Sequence, residues 1–131
     1  MGTACEIGYL KEDEFFVSIG CFCNGYLDYV GNILLDCYNT YEKVDNLINF
    51  GNLYSLGTSL EDCMLSHYQD DYDPPVFSYV YVNNKWYWQN DSYDEKKLYH
   101  DNKDVFDMGS VRYHLLTKED IKNYCDSNLE D

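Results

Sequence analysis

Four side chains have the types and spacing of a metal site. Cys21 and Cys23 stand two apart, and Cys63 precedes His67 by four. A two-thiolate knuckle and a Cys/His pair on one helical turn make a tetrahedral donor set of the kind zinc takes. The plainer reading competes with it. On an alternating strand, Cys21 and Cys23 are two reduced thiols that pack as small apolar groups. A cysteine hydrolase would need a thiol, a histidine base and an orienting acid. His67, His100 and His114 are available as bases, yet no nucleophile motif surrounds any of the six cysteines. His114 alternates with Tyr113 and Leu115 on an expected strand, which suits a surface or interface residue. No catalytic residue, metal or cofactor is therefore assigned, and the chain is read as a non-enzyme, with zinc at Cys21, Cys23, Cys63 and His67 kept as the weaker option. A disulfide framework is set aside, because no secretory leader pattern is visible and the core is large.

Acidic side chains could do a different chemistry. Asp70, Asp71 and Asp73, or Asp101, Asp104 and Asp107, could hold Ca²⁺, but neither run has the glycine and distal glutamate of an EF-hand loop. As a surface they matter more. The chain carries 9 Lys and Arg against 24 Asp and Glu, a formal net charge of -15. Both halves of the sequence share the excess. Such a field repels nucleic acid and anionic membrane and draws in basic surfaces. With no basic patch and no glycine-rich phosphate loop, direct nucleic-acid binding is disfavoured. No stretch approaches the roughly 18 apolar residues of a membrane span, so a cytoplasmic protein with no membrane partner is expected. The 15 tyrosines add low-entropy, amphipathic contact groups of the kind that anchor interfaces.

The elements that must position these groups follow from periodicity. Residues 3–10 and 15–21 alternate in polarity across a polar turn, a hairpin pattern. Leu27, Val30, Leu34 and then Cys37 or Tyr38 recur at helical spacing. Asn39, three residues before Glu42, predicts the cap of a second helix with an apolar stripe of Tyr41, Val44, Leu47 and Ile48, ending at Gly51. Residues 52–75 read as loop or weak helix, and the Asp-rich run ending in Pro74-Pro75 is a break. Residues 76–82 and 85–89 read as a hairpin around Asn83-Asn84, with Trp86 and Trp88 on one face. Residues 90–108 read as irregular. Residues 110–116 form a fifth strand, and Thr117 caps a closing helix. The expectation is one α+β domain over residues 1–131. It would have a single antiparallel sheet, built from an N-terminal hairpin and a C-terminal three-strand segment, with an αα unit and a C-terminal helix.

Residues 15–57 read FFVSIGCFCNGYLDYVGNILLDCYNTYEKVDNLINFGNLYSLG. This segment resembles a family of small, mostly uncharacterised tailed-phage and prophage proteins. Members carry a strand ending in Cys-His-Trp-Asp-Gly-Tyr-Pro, a Val-Gly, a helix, a Tyr-Asn and a second helix. The matching residues here include Cys21, Gly25, Tyr26, Val30, Gly31, Tyr38, Asn39, Val44, Leu47, Gly51, Leu56 and Gly57. Phe22, Cys23 and Asn24 replace the family's His-Trp-Asp, and Leu27 replaces its Pro, so chemistry through that His and Asp would be absent here. The resemblance implies a phage or prophage origin and, by association, a counter-defence role.

Charge, tyrosine content and resemblance together predict an anti-CRISPR-like inhibitory binder. Its acidic face would imitate nucleic acid and fill the basic groove of a host CRISPR effector or nuclease. Asp70, Asp71, Asp73, Asp91, Asp94, Glu95, Asp101, Asp104 and Asp107 would supply the charge, with Tyr72 and Tyr93 as anchors. The alternative is a small-molecule binder that sequesters a signalling nucleotide, for which Lys85, Lys96, Lys97, Lys103 and Arg112 are the cations on offer in the second half. An exposed sheet edge could also pair with a partner or a second copy, giving a homodimer.

Overall fold

The computed structural model describes residues 3–11, 16–66, 75–90 and 104–129, apart from the side chains of Cys23 and of 126–129. β1 (Cys5–Leu10) and β2 (Phe16–Cys23) form the expected hairpin. Cys5 lies opposite Cys21, Ile7 opposite Ile19 and Tyr9 opposite Val17. Alternation sends these six to one face and Glu6, Gly8, Ser18 and Gly20 to the other.

The chain leaves β2 through a π-helical turn (Leu27–Gly31) that runs directly into α1 (Asn32–Cys37). Leu27, Val30 and Leu34 are buried, as their spacing requires. α2 (Tyr41–Phe50) follows. Its cap is Thr40, whose hydroxyl accepts the Lys43 N–H at 3.2 Å, rather than the expected Asn39. Both side chains can cap, and the extended φ/ψ of Thr40 places its oxygen over the first turn. Val44, Leu47 and Ile48 face inward, whereas Tyr41, expected in that stripe, is exposed and leans on Tyr9.

Residues 52–75, expected as loop or weak helix, contain β3 (Leu53–Ser55), a short 3₁₀ turn (Leu60–Asp62) and β4 (Met64–Leu65). β5 (Phe77–Val82) and β6 (Lys85–Gln89) are joined through Asn83 and Asn84, with φ of 53° and 64°. Two consecutive positive values are the signature of the tight hairpin turn that asparagine tolerates. β7 (Val105–Met108) lies in the stretch expected to be irregular. β8 (Val111–Leu115) is the expected fifth strand. α3 (Lys118–Leu129) is capped by Thr117, whose hydroxyl accepts the Asp120 N–H at 3.1 Å.

The sheet is mixed, which corrects the expected single antiparallel arrangement of two hairpin-derived pieces. Its eight strands run in the order β4-β3-β2-β1-β5-β6-β8-β7. β1 pairs parallel with β5 and β2 pairs parallel with β3; the other pairs are antiparallel. A parallel pair needs a crossover of a dozen residues or more, and the helical segment supplies one between β2 and β3. The β1–β5 junction aligns Cys5, Ile7 and Tyr9 with Phe77, Tyr79 and Tyr81. Two hairpins of the same phase thereby present one continuous apolar face to the helices.

That face and the helices enclose the main core, which includes Trp86 and Trp88 at 2% and 1% exposure. Nε1 of Trp86 donates to the Tyr38 carbonyl at 2.7 Å, tying β6 to the end of α1. A smaller cluster of Val80, Val82, Tyr87 and Tyr113 lies on the opposite face. Glycine is required at three close approaches, one of them Gly8, where a Cβ would stand 2.7 Å from the Val17 carbonyl oxygen. A Cβ on Gly25 would stand 2.6 Å from the Cys5 Cβ, and one on Gly57 would stand 2.4 Å from the Asp62 Cβ.

Candidate functional site

Of the residues expected to form the acidic surface, Asp104 and Asp107 lie among the described residues. Asp70, Asp71, Tyr72, Asp73, Asp91, Tyr93, Asp94, Glu95 and Asp101 lie outside them, as do His67, His100, Lys96, Lys97 and Lys103. Both described carboxylates are engaged within the fold. Asp104 accepts the Tyr87 hydroxyl at 2.7 Å and Lys85 Nζ at 2.9 Å. These two donors hold its carboxyl below the usual aspartate range. Burial and the Asp104 charge together push Tyr87 up to about 12. Asp107 takes a two-point contact from Arg112 across the β7–β8 hairpin, at 2.9 and 3.3 Å. These two residues fasten the β7 edge. They also occupy Lys85 and Arg112, two of the cations a phosphate ligand would need.

Sequence reasoning missed a different group of exposed residues. Tyr26 and Tyr29 flank Asp28 at the π-helical turn, and Tyr41 stands beside Glu42 at the start of α2. All five are exposed, as are Glu61 and Asp62 in the 3₁₀ turn. The helix layer therefore offers carboxylates next to tyrosines, the combination expected of residues 70–107. The signal was weak because Tyr41 fits the apolar period of α2 and Tyr26 falls among the scaffold residues of the resemblance.

Cys5, Cys21 and Cys63 have structural parts. Cys5 and Cys21 face each other in the core at 2% and 1% exposure. Burial, and then the contact with Cys21, push the Cys5 thiol up, which makes it a poor nucleophile. Cys63 Sγ accepts the Gly57 N–H at 3.3 Å and lies 3.4 Å from the Ser59 carbonyl, its own acceptor. The Tyr38 hydroxyl donates to the Gly57 carbonyl at 2.8 Å and lies 3.6 Å from the same sulfur. Cys63 thus staples the turn that carries Glu61 and Asp62. Among the described residues, no group of three or more His, Cys, Asp or Glu side chains gathers as a metal ion would require. No helix among them is long and apolar enough to cross a membrane.

Two concavities complete the picture. A cleft of about 210 Å³ opens on the sheet face away from the helices, lined by Glu6, Ser18, Gly20, Phe22, Asn52 and Pro75 among others. A wider groove of about 890 Å³ is bounded by Lys11, Tyr41, Tyr81, Asn83, Asn84 and Phe106 with neighbours. Comparison with protein-family models, with curated proteins and with solved structures finds no match to this chain.

Proposed function

We propose that this chain is an inhibitory binding protein of phage origin. Its acidic surface occupies the nucleic-acid groove of a basic host defence protein, of the kind represented by CRISPR effectors and nucleases. The observation that carries this reading is the net charge of -15, joined to exposed tyrosines. Among the described residues, Lys85, Arg112 and Lys118 are each paired with a carboxylate. Carboxylates meeting Arg and Lys release counterions and accelerate encounter. Tyr26, Tyr29 and Tyr41 supply the contact area that charge alone does not.

The test is a paired charge-reversal series read by affinity for the captured partner. Replacing Asp28, Glu42, Glu61 and Asp62 with lysine is expected to weaken binding and flatten its dependence on salt. Unchanged affinity and salt slope would contradict the reading.

The wider groove favours a second reading, a binder of a signalling nucleotide. Tyr41, Tyr81 and Phe106 line it beside Lys11, which offers rings for a base and a cation for a phosphate. Material absorbing near 260 nm that co-purifies and is released on denaturation would support it; protein free of such material at full occupancy of a host partner would exclude it.

A further inference from the structure

Glu6 is an outward-facing polar residue by its place in β1, yet the fold draws it into a half-buried position. It sits between Gly20 of β2 and Ser78 of β5 in the strand register. The Ser18 hydroxyl donates to its carboxylate. The Tyr113 hydroxyl reaches Ser78 from β8 and feels the Glu6 charge. Gly20 leaves open space above the sheet, because the nearest atom a Cβ there would meet is 3.9 Å away. The Asn52 Oδ1 is spent on the Gly20 N–H at 2.9 Å. The polar side chains lining the cleft are the Glu6 carboxylate, the Ser18 hydroxyl and the Asn52 amide, beside the aromatic ring of Phe22, in a space of about 210 Å³.

That volume is below the several hundred Å³ of pockets that enclose drug-sized ligands. It suits one long side chain. The chemistry is equally narrow: an acceptor of charge −1, a second acceptor, and a flat π face, inside a molecule of strongly negative field. A planar guanidinium satisfies all of these at once. It donates in a fork to a carboxylate, stacks on an aromatic ring and sheds water more readily than an ammonium.

We propose that the Glu6 cleft is a recognition pocket for a guanidinium group, filled by an arginine side chain of the basic partner. The inference rests on the reading of the chain as a binder of a basic protein and specifies where one arginine enters. Glu6 supplies the charge, Ser18 orients it, and Phe22 forms the wall. Burial raises the Glu6 carboxyl above its ordinary range. A cation entering the cleft would reverse that cost. Tyr113 on the same face and Cys5 on the opposite face of the sheet both feel the Glu6 charge and are pushed upward as well, so Glu6 is the group that controls binding below neutral pH.

The experiment uses the full chain, ¹⁵N-labelled, titrated with N-acetyl-arginine amide, with the neutral isostere N-acetyl-citrulline amide and with agmatine. Arginine amide is expected to shift the amides of Glu6, Ser18, Gly20 and Asn52 together, and citrulline amide is not. Glu6→Gln is expected to weaken the arginine amide at least about tenfold, with Ser18→Ala weakening it less. Binding strengthens as pH rises through the Glu6 titration. Equal shifts from citrulline amide, equal binding by a folded Glu6→Gln variant, or shifts scattered over the acidic surface would each overturn the assignment. Agmatine binding well while the amide does not would assign the cleft to a small free guanidine rather than a peptide arginine and overturn the partner arm. The two readings fail separately. A captured partner held equally by wild type and Glu6→Gln removes the cleft and leaves the acidic surface; arginine binding without any captured partner does the reverse.

Discussion

The hydroxyl of Tyr87 donates to Asp104 at 2.7 Å while Lys85 holds the other carboxylate oxygen. The carboxylate closest to the expected acidic loop is thus a clamp between β6 and the start of β7. Asp104→Asn is expected to lower the melting temperature by about 2–4 °C at neutral pH and to change partner affinity little. The sign follows from the depressed carboxyl. Stability from Asp104 is present above its unfolded-state value and is lost as pH falls through the lower folded-state value. Thermal melts of the variant and wild type should therefore converge in acid. A penalty that persists in acid would mean that the clamp is not electrostatic.

Glu6 has the opposite sign. Its folded-state value is raised, with burial the largest cause. A group raised on folding contributes stability below its unfolded value and loses it as pH rises through the folded one. At neutral pH the ionised carboxylate works against the fold. Glu6→Gln should raise the melting temperature at pH 7, with the gain shrinking towards pH 4, while weakening the arginine probe. A residue that stabilises when removed but is needed for binding is the pattern of a functional position.

Trp86 and Tyr38 join the sheet to the helices by one hydrogen bond, and the Tyr38 hydroxyl then reaches Gly57 and Cys63. Trp86→Phe leaves a buried carbonyl without that donor and should cost about 1–3 kcal/mol in urea unfolding. Tyr38→Phe acts more locally. It should speed amide hydrogen exchange at Asp62 and Cys63, whose N–H groups close the 3₁₀ turn, before it alters global stability. Uniform acceleration across α2 instead would assign Tyr38 to the whole fold rather than to the turn.

Gly25 and Gly57 are fixed by space. A methyl group at either would overlap a neighbouring Cβ. Gly25→Ala and Gly57→Ala should each destabilise by about 1–3 kcal/mol. Gly20→Ala, above open space, should cost less on packing grounds, and should narrow the cleft. Equal destabilisation by all three would remove the distinction between close approach and open floor. Urea midpoints, compared at constant m, measure this.

Local pattern was legible and long-range pairing was not. Alternation located β1, β2, β5, β6 and β8, the Asn83-Asn84 pair set its turn, and Thr117 set the start of α3. β3 and β4 have three and two residues, too few for a period to register, and they exist because β2 offers an edge. The parallel β1–β5 contact depends on two hairpins meeting in phase, which no local window contains. The same reason hid the cleft. Glu6 alternates as a solvent-facing residue, and only β5 and the reach of Tyr113 from β8 enclose it. Asp104 and Asp107 were legible as charge, but their partners Lys85 and Arg112 lie across the sheet and across a hairpin. Val30, Val44, Leu47 and Leu56 are buried scaffold here, so packing alone accounts for their residue types.

The central claim is engagement of a basic nucleic-acid-binding protein by an acidic surface. Its most direct test is capture by the tagged full chain from nuclease-treated bacterial lysate, across a salt ramp and with double-stranded DNA as competitor, read by mass spectrometry. The account predicts a basic, nucleic-acid-binding host protein that is held at low salt, released as salt rises and displaced by DNA. Capture of nothing above control at low salt, or of a partner that neither salt nor DNA displaces, would contradict it.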